Sequence, residues 1–200
     1  IIGLIDIKEM RHIAFVKRSD LIGLGVAFVA TLALGIELGI GVAVVASMLV
    51  VFARMSRPHT AVLGRIGDTT TYRNIERFPE AHTVDGVRVV RIDAALSFVN
   101  ATNVKRLLVE QASTIEAAPH ALVLDASGIN DIDATGAEML DEVIDELREK
   151  GVNLHLADVK GPVRDVLRRS GAWDHTEIEV HASTAEAINA INNGGRTGAS

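Results

Sequence analysis

Residues 121–136 read Ala-Leu-Val-Leu-Asp-Ala-Ser-Gly-Ile-Asn-Asp-Ile-Asp-Ala-Thr-Gly. The run Ala121–Ala126 is apolar except for Asp125 and shows no polar alternation. A strand of that kind is buried on both faces, as strands of a parallel sheet are. A helical stripe follows at Leu140, Val143, Ile144 and Leu147, and Gly151 ends it. Downstream, Val152, Leu154 and Leu156 alternate with Asn153 and His155, which predicts a strand. Gly161-Pro162 opens a helix with Val163, Val166, Leu167 and Ser170 inward, Gly171 closes it, and Trp173 is a packing residue beyond it. Ile178–Val180 reads as a last short strand, and Ser183–Glu186 as a capping box ahead of Ala187, Ile188 and Ile191. Upstream, Asp85-Gly86 marks a turn into a strand at Val87–Ile92. Phe98 and Val99 suggest a second short strand paired with it, and Val104, Leu107, Leu108, Ala112 and Ile115 step at helical spacing. Strands alternating with helices predict an α/β layer fold: a mixed, largely parallel sheet with packed helices.

The N-terminal part is of another kind. Leu21–Phe52 is an apolar stretch interrupted mainly by Thr31, Glu37 and Ser47. As one straight helix it would run roughly 48 Å at 1.5 Å per residue, against a bilayer core of about 30 Å. Its middle, Gly35-Ile36-Glu37-Leu38-Gly39-Ile40-Gly41, is a poor place to continue a helix through lipid. The stretch therefore predicts a transmembrane pair of short helices, about 21–34 and 38–53, joined by a turn containing Gly35, Glu37, Gly39 and Gly41. Lys8, Arg11, Lys17 and Arg18 precede it and Arg54, Arg57 and Arg65 follow it, so a hairpin keeps both basic clusters on the cytoplasmic side. Gly35, Gly39, Ala43 and Ser47, four residues apart, offer a close-packing face. Residues 7–16 are read as the cap of a preceding membrane segment. The expected organisation is a membrane part at 1–57, a connector at 58–72, the α/β domain at 73–193 and a disordered tail at 194–200. The chain opens on Ile1 and reads as the end of something larger.

Composition narrows the chemistry. Residues 1–59 carry net charge +2 and residues 60–200 net −8. So acidic a domain lacks the basic footprint that nucleic acid requires. With no cysteine, disulfides, thiolate metal sites and cysteine nucleophiles are excluded. No Walker-type or dinucleotide glycine loop is present. The seven histidines are scattered, with no pair at ligand spacing within one predicted helix. No catalytic residue, cofactor or metal site is expected. One loop stands out, with Ser127, Asp131, Asp133 and Thr135 between the buried strand and the next helix, where α/β folds place their sites. Thr135 has two readings. With Glu138 it fits a capping box. As a phosphorylation switch, it would gain from the helix N-terminus and repel Asp131, Asp133 and Glu138.

Asp133-Ala134-Thr135-Gly136 resembles the Asp-Ser-Ser-Gly signature of the STAS domain, which sulfate transporters share with anti-sigma factor antagonists. In the bacterial antagonists the second hydroxyl is phosphorylated; Thr135 matches it, and Ala134 replaces the first Ser. Thr71–Ile75, Val89–Ala94 and Leu96–Ala101 are similar to the entry of the STAS domain in the SulP anion permeases. Thr31–Ser47 resembles that family's last two membrane segments, and the likeness spans about residues 4–192. It implies the C-terminal part of a multi-pass, secondary active transporter of sulfate or a similar anion in the inner membrane. Its STAS domain would lie in the cytoplasm and regulate or assemble the transporter, with a homodimer, membrane lipid and a regulatory protein as partners. The anion would bind in a core domain upstream, so no substrate residue carries over. A second reading is a membrane-tethered STAS signalling module switched at Thr135.

Overall fold

The computed structural model describes residues 18–117, 120–171 and 178–197. Lys8, Arg11, Lys17, the segment 7–16, Trp173 and residues 198–200 lie outside them. The chain divides into two compact units between Met55 and Ser56.

The first unit is a helix pair, α1 (Arg18–Leu34) and α2 (Ile36–Met55). Gly35 alone separates them, at φ +83°, a left-handed backbone that a side chain disfavours. The predicted turn is thus wider than the real one. Gly39 and Gly41 lie inside α2, and Glu37 sits in its first turn, where the helix dipole favours a carboxylate. The helix resumes as soon as one residue has absorbed the reversal of φ. Gly39 is buried, and a Cβ there would come 2.5 Å from the Thr31 Cα. Glycine is therefore what lets the two helices touch, with Thr31 Oγ1 donating to the Ala27 carbonyl at 2.8 Å. Ala43 is half-buried but Ser47 is exposed, so the small-residue face is shorter than its spacing suggests. By length and apolarity α2 can cross a bilayer.

The second unit is a mixed sheet in the order β2-β1-β4-β5-β6-β7, with β3 also paired to β1. Its strands are β1 (Thr60–Ile66), β2 (Tyr72–Asn74), β3 (Ala81–His82), β4 (Val87–Ile92), β5 (Ala121–Asp125), β6 (Asn153–Ala157) and β7 (Glu179–His181). The pairs β4–β5, β5–β6 and β6–β7 are parallel, and every pairing of β1 is antiparallel. The helices are α3 (Ala101–Ser113), α4 (Ala134–Glu149), α5 (Gly161–Ser170) and α6 (Thr184–Thr197). All five residues of β5 are buried, as its unbroken apolar run predicts. Leu122, Leu124, Leu154 and Leu156 point into one core with residues of α3, α4 and α5. Val89, Val123 and Ala157 point into a second with Ala187, Ile188 and Ile191 of α6.

Three expectations fail here. The stretch expected as a connector contains β1, which pairs with β4 over Thr60–Leu63; Gly64 and the flanking Pro58 disguise its alternation. Phe98 and Val99 are a turn, not a strand, and Phe98 is 69% exposed. The sheet is mixed because of β1, and the Phe98 amide donates to the Asp133 carboxylate rather than to a neighbouring strand. Finally, α6 runs on to Thr197, into the expected tail.

Leu122 has no exposed surface, whereas Leu107 is only partly buried. Leu122→Ala should cost about 2–5 kcal/mol and Leu107→Ala less than half as much, read from denaturant midpoints at unchanged m. Equal losses would contradict the two-sided burial of β5.

Candidate functional site

The predicted loop leaves the carboxyl end of β5 and is held at nearly every residue. The Ser127 amide donates to Asp125 Oδ1 at 2.9 Å, and the Ala126 amide to the Ala157 carbonyl at 2.8 Å. Ile129 and Ile132 are buried and anchor the loop from below. Leu96 and Ile132 form an isolated parallel bridge: the Leu96 amide donates to the Asp131 carbonyl and the Asp133 amide to the Leu96 carbonyl, each at 3.0 Å. The facing segment has its own clamp, since buried Asn100 accepts from the Ser97 amide at 3.0 Å and donates to the Ala95 carbonyl at 2.8 Å. Beside the loop, Lys160 Nζ donates to Asn130 Oδ1.

Asp133 joins the two segments. Its Oδ1 accepts from the Gly136 amide at 2.8 Å and its Oδ2 from the Phe98 amide at 3.0 Å. Asp133 is therefore the N-cap of α4. This corrects the capping-box reading of Thr135, which sits within the first turn of that helix and is exposed. A side chain at Gly136 would bring a Cβ 2.7 Å from the Leu96 carbonyl oxygen; only glycine allows the helix start to lie against that strand end. Thr135 thus lies exposed in the first turn of α4. Of the named loop residues, Ser127 and Asp131 are exposed and Asp133 is half-buried.

The carboxyl ends of the neighbouring strands carry further charge. Asp93 accepts from Arg91 Nε at 2.7 Å and lies 3.0 Å from His59 Nδ1. Partial burial pushes the Asp93 carboxyl up, but hydrogen bonds from Arg91 and His59 outweigh this and hold it below its ordinary value. Burial, and then the charge of Asp125, push the Asp158 carboxyl up. The glycines and Glu37 named from the membrane turn lie in the other unit. Sequence reasoning missed one cluster. His155, Glu179 and His181 converge on one face of β6 and β7. Their only local signal is the two-residue spacing of Glu179 and His181 on one strand.

A family model for the STAS domain matches residues 78–187. Sulfate transporter 1.3 of Arabidopsis thaliana is 31% identical over 199 residues, which covers 94% of this chain and 30% of that protein. High affinity sulfate transporter 2 of Stylosanthes hamata is 30% identical over 201 residues, again 94% of this chain and 30% of the relative. The chain therefore spans less than a third of the length of these relatives. Among solved structures, the murine Solute Carrier 26 family member A9 anion transporter in its inward-facing state is similar in fold. Its TM-score is 0.82 at 21% identity, covering 94% of this chain and 31% of that one.

Asp133→Ala removes a helix cap and orphans the Phe98 amide, so it should cost about 1–2 kcal/mol in a denaturant melt. Thr135→Ala should stay within about 0.5 kcal/mol; the reverse order would restore Thr135 as the cap. The lowered Asp93 pKa gives a second test. Its contribution is present above the unfolded value of about 3.9 and is lost as pH falls through the folded value. Asp93→Asn should lower the melting temperature at pH 7, and the gap from the parent should close below about pH 4.

Proposed function

We propose that this chain, which belongs to the STAS domain family through residues 78–187, supplies the terminal helix pair and the regulatory domain of a SulP-type secondary active anion transporter. Sulfate is the anion its relatives' names suggest. One observation carries the reading: the likeness to sulfate transporters extends over 94% of the chain, so it includes the apolar pair as well as the domain. Helix α1, with 17 residues, is short for a span and would be sheltered by packing against protein. In this reading α1 and α2 return to the cytoplasmic side, where the basic flanks favour them, and the STAS domain lies in the cytoplasm. The anion binds elsewhere in the assembled transporter, and the domain sets assembly or activity, most simply in a homodimer embedded in lipid. No catalytic step is assigned to the chain.

A specific observation supports one form of regulation. Thr135 is exposed in the first turn of α4. A phosphate there would gain from the helix dipole yet repel Asp131, Asp133 and Glu138. Thr135 would then be the switch for a regulatory protein, the role the antagonist-like reading also gives it.

A chimera tests the main reading. Residues 18–200 replace the matching third of the Arabidopsis transporter, and radiolabelled sulfate uptake is measured in transport-deficient cells. Uptake should persist in the chimera and be lost on truncation at Met55; a chimera that reaches the membrane but does not transport would refute the reading. Reconstituted alone, the chain should give no uptake above empty liposomes. The switch idea fails if Thr135→Ala and Thr135→Glu both leave chimera uptake and partner capture unchanged.

A further inference from the structure

Strands β6 and β7 run parallel with His155 opposite Glu179 and Ala157 opposite His181. Side chains alternate along a strand, so Glu179 and His181 share one face, and the register brings His155 to the same face. That face also carries Ala157 and Val123, which pack with α6. The three polar tips meet at one point. His155 Nδ1 lies 3.2 Å from His181 Nε2, and Glu179 Oε2 lies 3.6 Å from each of those nitrogens. The histidine side chains are 7% and 9% exposed, while Glu179 is 64% exposed. Two buried imidazoles therefore converge with one carboxylate that opens to solvent.

We propose that His155, Glu179 and His181 form a divalent-metal site of the zinc type, which clasps the edge strand β7 to β6. Four-coordinate zinc binds nitrogen and oxygen at about 2.0–2.2 Å, so neighbouring ligand atoms of a tetrahedron lie roughly 3.3–3.6 Å apart. The two separations from Glu179, 3.6 Å each, lie within that edge, and the 3.2 Å between the histidine nitrogens lies just below it. An octahedral ion at a similar radius would need ligand atoms about 3 Å apart. Two histidines and a carboxylate are a ligand set zinc accepts, leaving a fourth position for water. The exposed Glu179 side is the entry path. The role follows from the strand: β7 has three residues and, among the described residues, one neighbour in the sheet. So short a ladder gains most from a second tie that binds only the folded state. This site depends on strand register alone and stands or falls apart from the transport reading.

The test uses the full chain in detergent, purified through a tag without histidine, stripped with EDTA and titrated with Co²⁺. Wild type should bind one equivalent, show the intense visible bands of tetrahedral Co²⁺ and lose them to Zn²⁺. Glu179→Gln changes an exposed position and should fold normally. It and His181→Asn should weaken Co²⁺ binding by more than the roughly 10- to 100-fold that losing a supporting partner costs. Zn²⁺ should raise the melting temperature of wild type but not of Glu179→Gln, a comparison that holds even if the histidine variant is unstable. Absence of the bands, or equal binding in wild type and Glu179→Gln, would leave a hydrogen-bonded histidine pair and overturn the site.

Discussion

Strand β5 has no exposed face, and the α/β unit is arranged around that constraint. A backbone buried on both sides must find its hydrogen-bond partners within the sheet, and β4 and β6 supply them in parallel along the whole strand. Each apolar face then needs its own cover. Helices α3, α4 and α5 close one, and α6 closes the other. Parallel pairing also puts the carboxyl ends of β4, β5 and β6 at one edge, where Asp93, Asp125 and Asp158 gather. The loop after β5 leaves the sheet at that same edge.

Asp133 ties two segments together at that edge. One carboxylate closes the N-terminus of α4 and fixes the turn ahead of α3. The hydroxyl beside it is left free of structural duty and open to solvent. The helix pair obeys a different constraint. Its surface is largely apolar, with Phe28, Leu32, Ile36 and Leu49 each more than half exposed, so lipid or other protein must cover it.

The elements with strong local signals were legible: β5 from its unbroken apolar run, α4 and α5 from their stripes, and the ends of α5 from Gly161-Pro162 and Gly171. The misreadings share a cause. Strand β1 looks like a connector because its partners are β2, β3 and β4, none of them visible from its own residues. Phe98 and Val99 look like a strand because both favour one, yet the Phe98 amide is claimed by Asp133, 35 residues away. Thr135 and Glu138 satisfy the spacing of a capping box, and Asp133 wins because its carboxylate serves two amides at once.

By itself, the sequence determined what depends on neighbours a few residues apart: an apolar segment broken near Gly35, an acidic α/β domain beyond it, and a hydroxyl-bearing loop after its central strand. Periodicity and turn chemistry are local, so they survive in one dimension. Tertiary structure alone decided which carboxylate caps α4, where β1 inserts and that His155 meets Glu179 and His181. Those outcomes rest on register between distant strands, and register is set by which faces can be buried together rather than by any single stretch of chain.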